Sequence, residues 1–215
     1  MAILKLYGAK IAMCTRRVAT VLHELKVPFE LIEINLMAGE HKTPEYMKNQ
    51  PFGQIPYIDD DGFILFETRA ICRYIAAKYP ASGLVPTELK ANALFEQAAA
   101  VELTNFDPSA SLVAIELFKQ KYFGALPDQT LMDAQLEILD KKLDAYDVIL
   151  SKQRYLGGET LTLADLFHVP YAPLIASGET DIMTRKSNVA RWYNDLVARP
   201  SWKAYEGGVE TTTTY

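Results

Sequence analysis

The residues best suited to chemistry lie in two short segments, around Ile55-Pro56 and Glu67-Thr68. Pro56 directly precedes a predicted strand, so Ile55-Pro56 is a candidate cis peptide bond that would expose the backbone groups of Ile55 in a turn. Exposed N–H and C=O groups in a cleft pair with a peptide ligand as a strand edge does. Glu67 and Thr68 stand where a helix is predicted to begin. The helix N–H groups and the Thr68 hydroxyl suit a carboxylate, and Glu67 suits an ammonium group, so this pair predicts a site for an amino-acid end.

A second anion site is predicted in the loop after the second strand. His41 and Lys42 lie there and are suited to a second carboxylate. Structural alternatives remain open at both places. Thr68 would serve equally well as a simple helix cap, and His41-Lys42 as part of a solvated loop.

The elements that must position these residues occupy residues 1–78. A short apolar run at 3–7 stops at Gly8, and a second strand-like run covers 29–34. The segment between them has helical periodicity, carried by Val18, Val21, Leu22 and Leu25. A strand, a helix and a strand within about 34 residues indicate a βαβ unit with parallel strands.

The rest of this region predicts two further helices and a hairpin. Thr43 has the character of an N-cap, and Pro44 that of a first helical residue. Strand-like runs flank the turn residues 59–62, which indicates a hairpin. A helix from about Glu67 to Lys78 closes the unit.

Beyond residue 78 the chain changes character. Residues 79–88 hold two prolines, a glycine and a serine and are typical of a linker, and 89–215 are predicted to be helical. One long helix has an apolar face formed by Leu136, Leu139, Leu143, Tyr146 and Leu150.

Three further features mark the second region. Thr162 and Asp165 match a capping box, with Asp in the usual Glu or Gln position. Trp192 indicates another helix, which ends at Pro200. Residues 207–215, with four consecutive threonines, are predicted to form a loose tail.

Composition excludes several classes of protein. The chain has 215 residues, 49% hydrophobic and 23% charged, which is enough to bury a core and too apolar for disorder. No apolar run reaches the ~18–20 residues of a membrane span, and we expect no secretory signal. Two cysteines and three histidines form neither a disulfide framework nor a metal cluster, and a net charge of −5 disfavours nucleic acid as a partner. We therefore expect a cytoplasmic protein.

Taken together, five spaced motifs resemble those of the soluble glutathione transferases, most closely the phi class. They are Gly39-Glu40-His41-Lys42, Pro51-Phe52-Gly53-Gln54-Ile55-Pro56, Phe66-Glu67-Thr68-Arg69-Ala70-Ile71, Asn105-Phe106-Asp107-Pro108 and Leu161-Thr162-Leu163-Ala164-Asp165-Leu166. The resemblance implies an α/β thioredoxin-like N-terminal domain (1–78), a linker (79–88) and an all-α C-terminal domain (89–215). It also implies a homodimer that uses glutathione as a co-substrate, with no permanently bound cofactor and no metal.

The resemblance assigns parts of glutathione to particular residues. His41 and Lys42 would meet the glycine carboxylate. The cysteinyl part would be held by Gln54 and by the backbone of Ile55, with Pro56 setting the turn. The γ-glutamyl end would be held by Glu67 and Thr68.

The sequence departs from the family at the position that usually activates the thiol. Glutathione must lose its thiol proton before it attacks an electrophile, and phi-class proteins usually supply a serine at the start of the first helix. Here that position is Ala12, which has no hydroxyl. The Met13 N–H and the helix dipole remain as stabilising groups.

Three side chains are candidates to substitute for the missing hydroxyl. Cys14 points about 200° around the helix from Ala12 and is expected in the core. Thr15 is one turn from Ala12 and could approach the same cleft. Tyr7 ends the first strand and is expected to be structural.

A hydrophobic second-substrate pocket is also expected. Its candidate wall residues are Ile11, Met13, Leu36, Met37, Phe118 and Tyr122. These residues favour a hydrophobic electrophile, although core packing accounts for Phe118 equally well. The leading interpretation is a detoxifying glutathione transferase weakened at Ala12. The alternatives are a glutathione-dependent carrier of hydrophobic ligands (a ligandin) and a thiol-transfer enzyme that uses Cys14.

Overall fold

A computed structural model describes residues 3–215 of the chain. The chain divides into two compact units. The N-terminal unit contains the residues up to Gly83 together with Pro200–Tyr215, and the helical unit contains Leu84–Arg199. The predicted domain of 89–215 therefore differs from the helical unit at its end, because the last sixteen residues pack against the N-terminal unit.

The described elements alternate strands and helices in the N-terminal unit and are helical beyond it. In chain order they are β1 Leu4–Gly8, α1 Met13–Glu24, β2 Phe29–Glu33, α2 Pro44–Met47, β3 Tyr57–Asp60, β4 Phe63–Phe66, α3 Thr68–Lys78, α4 Leu89–Val101, α5 Asp107–Phe123, α6 Gln129–Leu150, α7 Leu163–Leu166, α8 Tyr171–Ala176, α9 Ser187–Val197 and α10 Pro200–Lys203, with 3-10 turns at Glu40–Lys42 and Pro80–Ser82 and a π-helical segment at Glu102–Phe106.

The N-terminal unit is built on a four-stranded mixed sheet in the order β2-β1-β3-β4. β1 and β2 are parallel, which confirms the predicted βαβ unit, and β3 is antiparallel to both of its neighbours. Leu6 lies opposite Leu31 on one side and Ile58 on the other. Leu6 and Ile58 are completely buried, so the centre of this sheet forms the core of the unit.

The β3–β4 hairpin forms at the predicted turn. Asp61 (φ 56°) and Gly62 (φ 90°) both have positive φ, as a two-residue turn with the right-handed strand twist requires. The Asp59 carboxylate accepts a hydrogen bond from the Gly62 N–H at 2.7 Å. This turn brings β4 to the point where α3 starts.

The C-terminal residues do not form the predicted loose tail. Phe29 and Thr212 exchange two backbone hydrogen bonds, of 2.8 and 3.1 Å, and Val209 is completely buried. β2 is one of the two edge strands of the sheet, so its outer backbone groups need partners. β-branched residues such as threonine suit extended pairing, so the threonine-rich end of the chain covers this edge.

The helical unit contains the predicted capping box. The Asp165 carboxylate accepts hydrogen bonds from the Thr162 N–H at 2.9 Å and from the Trp192 indole N–H at 3.0 Å. It also accepts the Leu156 N–H at 2.9 Å. One buried carboxylate therefore joins the start of α7, the preceding loop and α9. The apolar face of α6 is buried at Leu139, Leu143, Tyr146 and Leu150, as predicted, whereas Leu136 is half-buried.

Candidate functional site

The first turn of α1 presents backbone donors without a capping side chain. Ala12 is the N-cap, in an extended conformation (φ −70°, ψ 134°), and its methyl group offers no acceptor. Its N–H donates to the Ala9 carbonyl and its C=O accepts from the Arg16 N–H, both at 3.0 Å. Helix geometry leaves the N–H groups of Met13 and its neighbours without intrahelical acceptors. Together with the helix dipole, these groups favour an anion at this end.

Thr15, one of the three candidates to replace the missing hydroxyl, is buried. Its side chain is 0% exposed, and a Cβ placed on Gly8 would lie only 2.5 Å from its Oγ1. Thr15 therefore packs beneath β1, and its burial removes it as a substitute for the missing hydroxyl. Helical spacing placed it on the correct face, but the sheet occupies that face.

The cysteines differ in their surroundings and form no disulfide. Cys14 is half-buried, so its side chain is more exposed than the core position expected for it. Cys72 is completely buried on α3, and burial raises the pKa of its thiol to about 12. A thiol with that pKa stays protonated and unreactive at neutral pH.

Tyr7 packs in an aromatic cluster, in keeping with the structural role expected for it. Its ring is stacked on Tyr57, with centroids 4.4 Å apart, and Tyr46 packs edge-on against Tyr57 at 5.1 Å. Tyr46 also donates its hydroxyl to the Gln54 carbonyl at 2.7 Å. Burial raises the pKa of Tyr46 above its ordinary value, so this hydroxyl stays a donor.

The loop carrying His41 and Lys42 packs against the loop carrying Gln54. The two loops meet at Gly53 (φ +59°). A Cβ added to this residue would lie 2.8 Å from Lys42 Cδ and 2.9 Å from the His41 carbonyl oxygen. Lys42 Nζ donates to the Phe52 carbonyl at 3.3 Å. Glycine is therefore required here, and two segments that are separate in sequence lie side by side.

His41 has a buried polar atom without a partner. The side chain is half-buried, yet its Nδ1 has no hydrogen-bond partner among the residues that the structure describes. Buried polar groups are normally hydrogen-bonded. This atom, beside the exposed Lys42 ammonium, is suited to an acidic ligand group.

The backbone of Ile55 is the next candidate for contact with a peptide ligand. The Ile55-Pro56 peptide bond is cis. The Gln54 N–H is held by the Gln50 side chain at 3.1 Å. Within residues 3–215, neither the N–H nor the C=O of Ile55 is hydrogen-bonded. Gln54 is fixed in place, and the Ile55 N–H and C=O are unpaired. These groups are suited to pairing with a peptide ligand, which is the role expected for Ile55.

At the start of α3, two residues are held in unusual environments. Glu67 is the N-cap, with φ +67° and ψ 110°, and its side chain is exposed. The neighbouring Thr68 hydroxyl is buried and accepts a hydrogen bond from Arg17 at 3.2 Å. The Thr68 O–H thus remains able to donate to a carboxylate, and the positive charge of Arg17 lies directly behind it.

Sequence reasoning missed three residues that support the site: Arg17, Tyr46 and Gln50. Arg17 is only 1% exposed. An arginine within the apolar run of the first helix was the one available signal, because buried arginines are rare without a partner. For Tyr46 and Gln50, the local sequence carries no such signal.

The candidate wall residues are divided between the two units. Ile11, Met13 and Leu36 are half-buried in the N-terminal unit, where Met37 is 81% exposed. Phe118 and Tyr122 lie on α5 of the helical unit, with ring centroids 4.7 Å apart. Large apolar side chains that keep exposed surface are suited to contacts with an apolar ligand.

The described part of the chain offers neither a metal-binding cluster nor a membrane-spanning helix. Residues 3–215 contain no group of three or more His, Cys, Asp or Glu side chains placed to hold a metal ion. None of the helices described is long and apolar enough to span a membrane.

Comparisons with known proteins cover nearly the whole chain. The family model for the glutathione S-transferase N-terminal domain matches residues 2–77, and that for the C-terminal domain matches residues 110–200. Glutathione S-transferase PM239X14 of Arabidopsis thaliana is 43% identical over 198 residues, which is 90% of this chain and 91% of the relative.

Solved structures of glutathione transferases superpose on nearly the whole chain. The crystal structure of glutathione transferase F7 from Populus trichocarpa superposes with a TM-score of 0.91 at 38% identity, covering 95% of this chain and 98% of that one. Glutathione S-transferase I from maize, in complex with an atrazine glutathione conjugate, has a TM-score of 0.88 at 34% identity and covers 96% and 97%. These matches confirm the predicted thioredoxin-like and all-helical architecture. The chain therefore belongs to the glutathione S-transferase family, in its phi class, and is a glutathione transferase.

Proposed function

We propose that this transferase joins the glutathione thiolate to an apolar electrophile, and that the α1 N-terminus stabilises the thiolate without a side-chain hydroxyl. The observation that carries the proposal is Ala12 at the N-cap of α1, with the Met13 N–H next in the chain. The supporting loops provide groups for the rest of glutathione. The maize relative described as a complex with an atrazine glutathione conjugate supports an apolar second substrate.

The reaction is a nucleophilic displacement or addition. The thiol loses its proton to solvent, the sulfur lone pair forms a C–S bond, and a leaving group such as chloride departs with its electron pair. Glutathione is consumed as a co-substrate. The enzyme orients both reactants and stabilises the sulfur anion.

Each end of glutathione meets complementary charge in this proposal. His41 and Lys42 bind the glycine carboxylate, and the backbone of Ile55, next to Gln54 and Pro56, pairs with the cysteinyl residue. Glu67 binds the ammonium group. Thr68, with Arg17 behind it, donates to the γ-glutamyl carboxylate.

The electrophile contacts the apolar candidates in this proposal. In the N-terminal unit they are Ile11, Met13, Leu36 and Met37. The exposure of Met37 supports an apolar ligand in this unit. In the helical unit, the side-by-side rings of Phe118 and Tyr122 are separate candidates for contact with an aromatic ligand.

The missing hydroxyl sets the expected strength of the activity. One hydrogen bond to a charged sulfur contributes roughly 1.5–3 kcal/mol, which is about one to two pKa units. The bound thiol is therefore expected to titrate higher than in a serine enzyme, so conjugation is slow at neutral pH and rises with pH.

The test is the rate of conjugation to a chloronitrobenzene for the original chain and for Ala12→Ser, across pH. A slow parent whose neutral-pH rate rises roughly tenfold or more in Ala12→Ser supports the proposal. A parent that is already fast at neutral pH, and unchanged by the serine, contradicts it.

The carrier function is the second candidate, and Ala12 is the observation that favours it. A parent that binds glutathione and a hydrophobic dye tightly, yet shows no conjugation even at raised pH, would support carriage. A thiol-transfer role for Cys14 is tested by alkylation, because it predicts that activity disappears when this half-buried thiol is blocked.

The family resemblance also predicts a homodimer, and the composition predicts a cytoplasmic protein with neither nucleic acid nor membrane as a partner. Exposed apolar side chains such as Phe63 and Leu94 support an interface. Light scattering measures the assembly directly, and a mass of one chain would contradict it.

A further inference from the structure

Lys10 lies in the turn between β1 and α1 and is anchored at three atoms. Its N–H points at the Glu33 carboxylate, 3.1 and 3.0 Å from the two oxygens. Its carbonyl accepts the Val209 N–H at 2.9 Å. Its ammonium group lies 2.7 Å from Glu210 Oε1. Two of these three contacts are made by residues near the C-terminus, Val209 and Glu210.

Gly208 brings the end of the chain against the Lys10 side chain. Its φ of +134° is open to glycine and strained for other residues. A Cβ at this position would lie 2.9 Å from Lys10 Cγ and 3.0 Å from Lys10 Cε. We call Gly208–Glu210 the C-terminal strap.

The strap is held at its far end independently of Lys10. Thr212 pairs with Phe29 on the edge strand through two backbone hydrogen bonds. Thr211 Oγ1 accepts the Leu31 N–H at 2.9 Å. The strap is therefore bonded to the β1–α1 turn, and the two residues that follow it are bonded to β2.

The anchored turn sets the direction of the first N–H groups of α1. The Ala12 N–H closes back onto the Ala9 carbonyl at 3.0 Å, so Lys10 lies inside this closed turn. Stabilisation of an anion by backbone donors falls quickly when the donors move by tenths of an ångström. Because residue 12 has no hydroxyl, these backbone donors supply a larger share of the stabilisation of the thiolate than they would in a serine enzyme. Their placement therefore has a larger effect on the thiol pKa.

We infer that the C-terminal strap is a positioning element for the thiolate site, acting on the β1–α1 turn through Lys10. The inference rests on the proposed role of the α1 N-terminus in holding the glutathione thiolate. It assigns Gly208 and the Val209 N–H to positioning, although both are about 200 residues away from the turn in sequence.

Gly208→Ala is the primary test, because the added Cβ pushes against Lys10. The pH profile of conjugation, and the thiolate absorbance of bound glutathione, should shift to higher pH. The rate near pH 7 should fall by about threefold to tenfold and recover at high pH, since only the protonation step is displaced. The dissociation constant of S-methylglutathione, which has no ionisable thiol, should change by less than about twofold.

A matched control separates positioning from general support of the sheet. Thr211→Val removes the contact to Leu31, but the two Phe29–Thr212 backbone hydrogen bonds and the contacts to Lys10 remain, so it should keep the parental pH profile. Val209→Pro removes the N–H donor without shortening the chain and provides a second variant should Gly208→Ala fail to fold.

The outcomes are distinct. Folded Gly208→Ala and Val209→Pro variants with the parental pH profile would overturn the inference and leave the proposed function intact. An equal shift in Thr211→Val would also overturn it, because the strap would then only protect the sheet edge. A parent that does not lower the thiol pKa of bound glutathione would overturn the proposed function and the inference together.

Discussion

Glu67 adopts a backbone conformation that residues with side chains rarely adopt. Its φ of +67° is one of three positive values at non-glycine residues in the described chain. Such a conformation costs on the order of 1–3 kcal/mol and persists where the surrounding structure and a function retain it. Glycine would fit without this cost. A glutamate kept at this strained position supports the proposal that its exposed carboxylate binds the glutathione ammonium group.

Two substitutions at this residue separate charge from strain. Glu67→Ala and Glu67→Gly should both weaken glutathione binding by at least about fivefold in calorimetry, because the ammonium group loses its charged partner. Glu67→Gly should have the higher free energy of unfolding of the two, by about 1 kcal/mol, because glycine relieves the backbone.

The matched control is Glu45→Ala, which removes an exposed carboxylate from α2. It should leave glutathione affinity unchanged. If Glu67→Ala binds as tightly as the parent, the assignment of this residue to the ammonium group is wrong.

At the scale of elements, a buried carboxylate joins β3 to α3. Asp60 on β3 accepts hydrogen bonds from Tyr74 at 2.6 Å and from Lys78 at 2.5 Å, both on α3. Burial alone would raise the pKa of Asp60, but the hydrogen bonds from Lys78 and Tyr74 outweigh it and hold the pKa below its ordinary value. This contact fixes the helix that begins at Glu67 and Thr68.

The depressed pKa gives this contact a defined pH dependence. Because the folded state holds the charged carboxylate more strongly, the stabilisation is complete above the ordinary pKa of about 4 and is lost as pH falls below it. Asp60→Asn should therefore lower the free energy of unfolding by about 1–2 kcal/mol at pH 7. The difference should shrink toward pH 3 in urea titrations. An equal difference at both pH values would show that the carboxylate charge contributes nothing.

At the scale of the whole molecule, the N-terminal unit is assembled from both ends of the chain. Trp202 and Tyr205 are buried in it, and Ser201 donates to the Glu24 carboxylate at 2.6 Å. α10 contacts α1, the helix that carries the candidate thiolate site. The last residues are therefore part of the unit that carries the proposed glutathione site.

Trp202→Ala tests this assembly. Removing a buried tryptophan should cost about 3–5 kcal/mol, and unfolding of the N-terminal unit should move to lower urea concentration. Trp192, buried in the helical unit, remains as a fluorescent reporter of that unit. The urea midpoint reported by Trp192 fluorescence should shift less than the urea concentration at which glutathione binding is lost. Leu126→Ala, at a residue 95% exposed, is the control expected to change neither.

Features that depend on neighbouring residues were predictable from the sequence. The βαβ unit, the Thr43 cap before Pro44, the β3–β4 turn and the cis bond before Pro56 follow from local periodicity and backbone preference. Each involves residues close together in the chain, whose conformations are limited by their own side chains. The family followed from several such motifs in order.

Contacts between distant segments were decided only by the tertiary structure. The Arg17–Thr68 hydrogen bond joins residues 51 apart, and the Lys10–Glu210 ion pair joins residues 200 apart. Helical spacing could not show that Thr15 is buried under β1, nor could composition show that the last threonines complete a sheet edge. The sequence by itself determined the local elements, the family and the missing hydroxyl at Ala12. Which side chains meet around the site was decided by the packing of the folded chain, since long-range contacts depend on the whole core rather than on local preference.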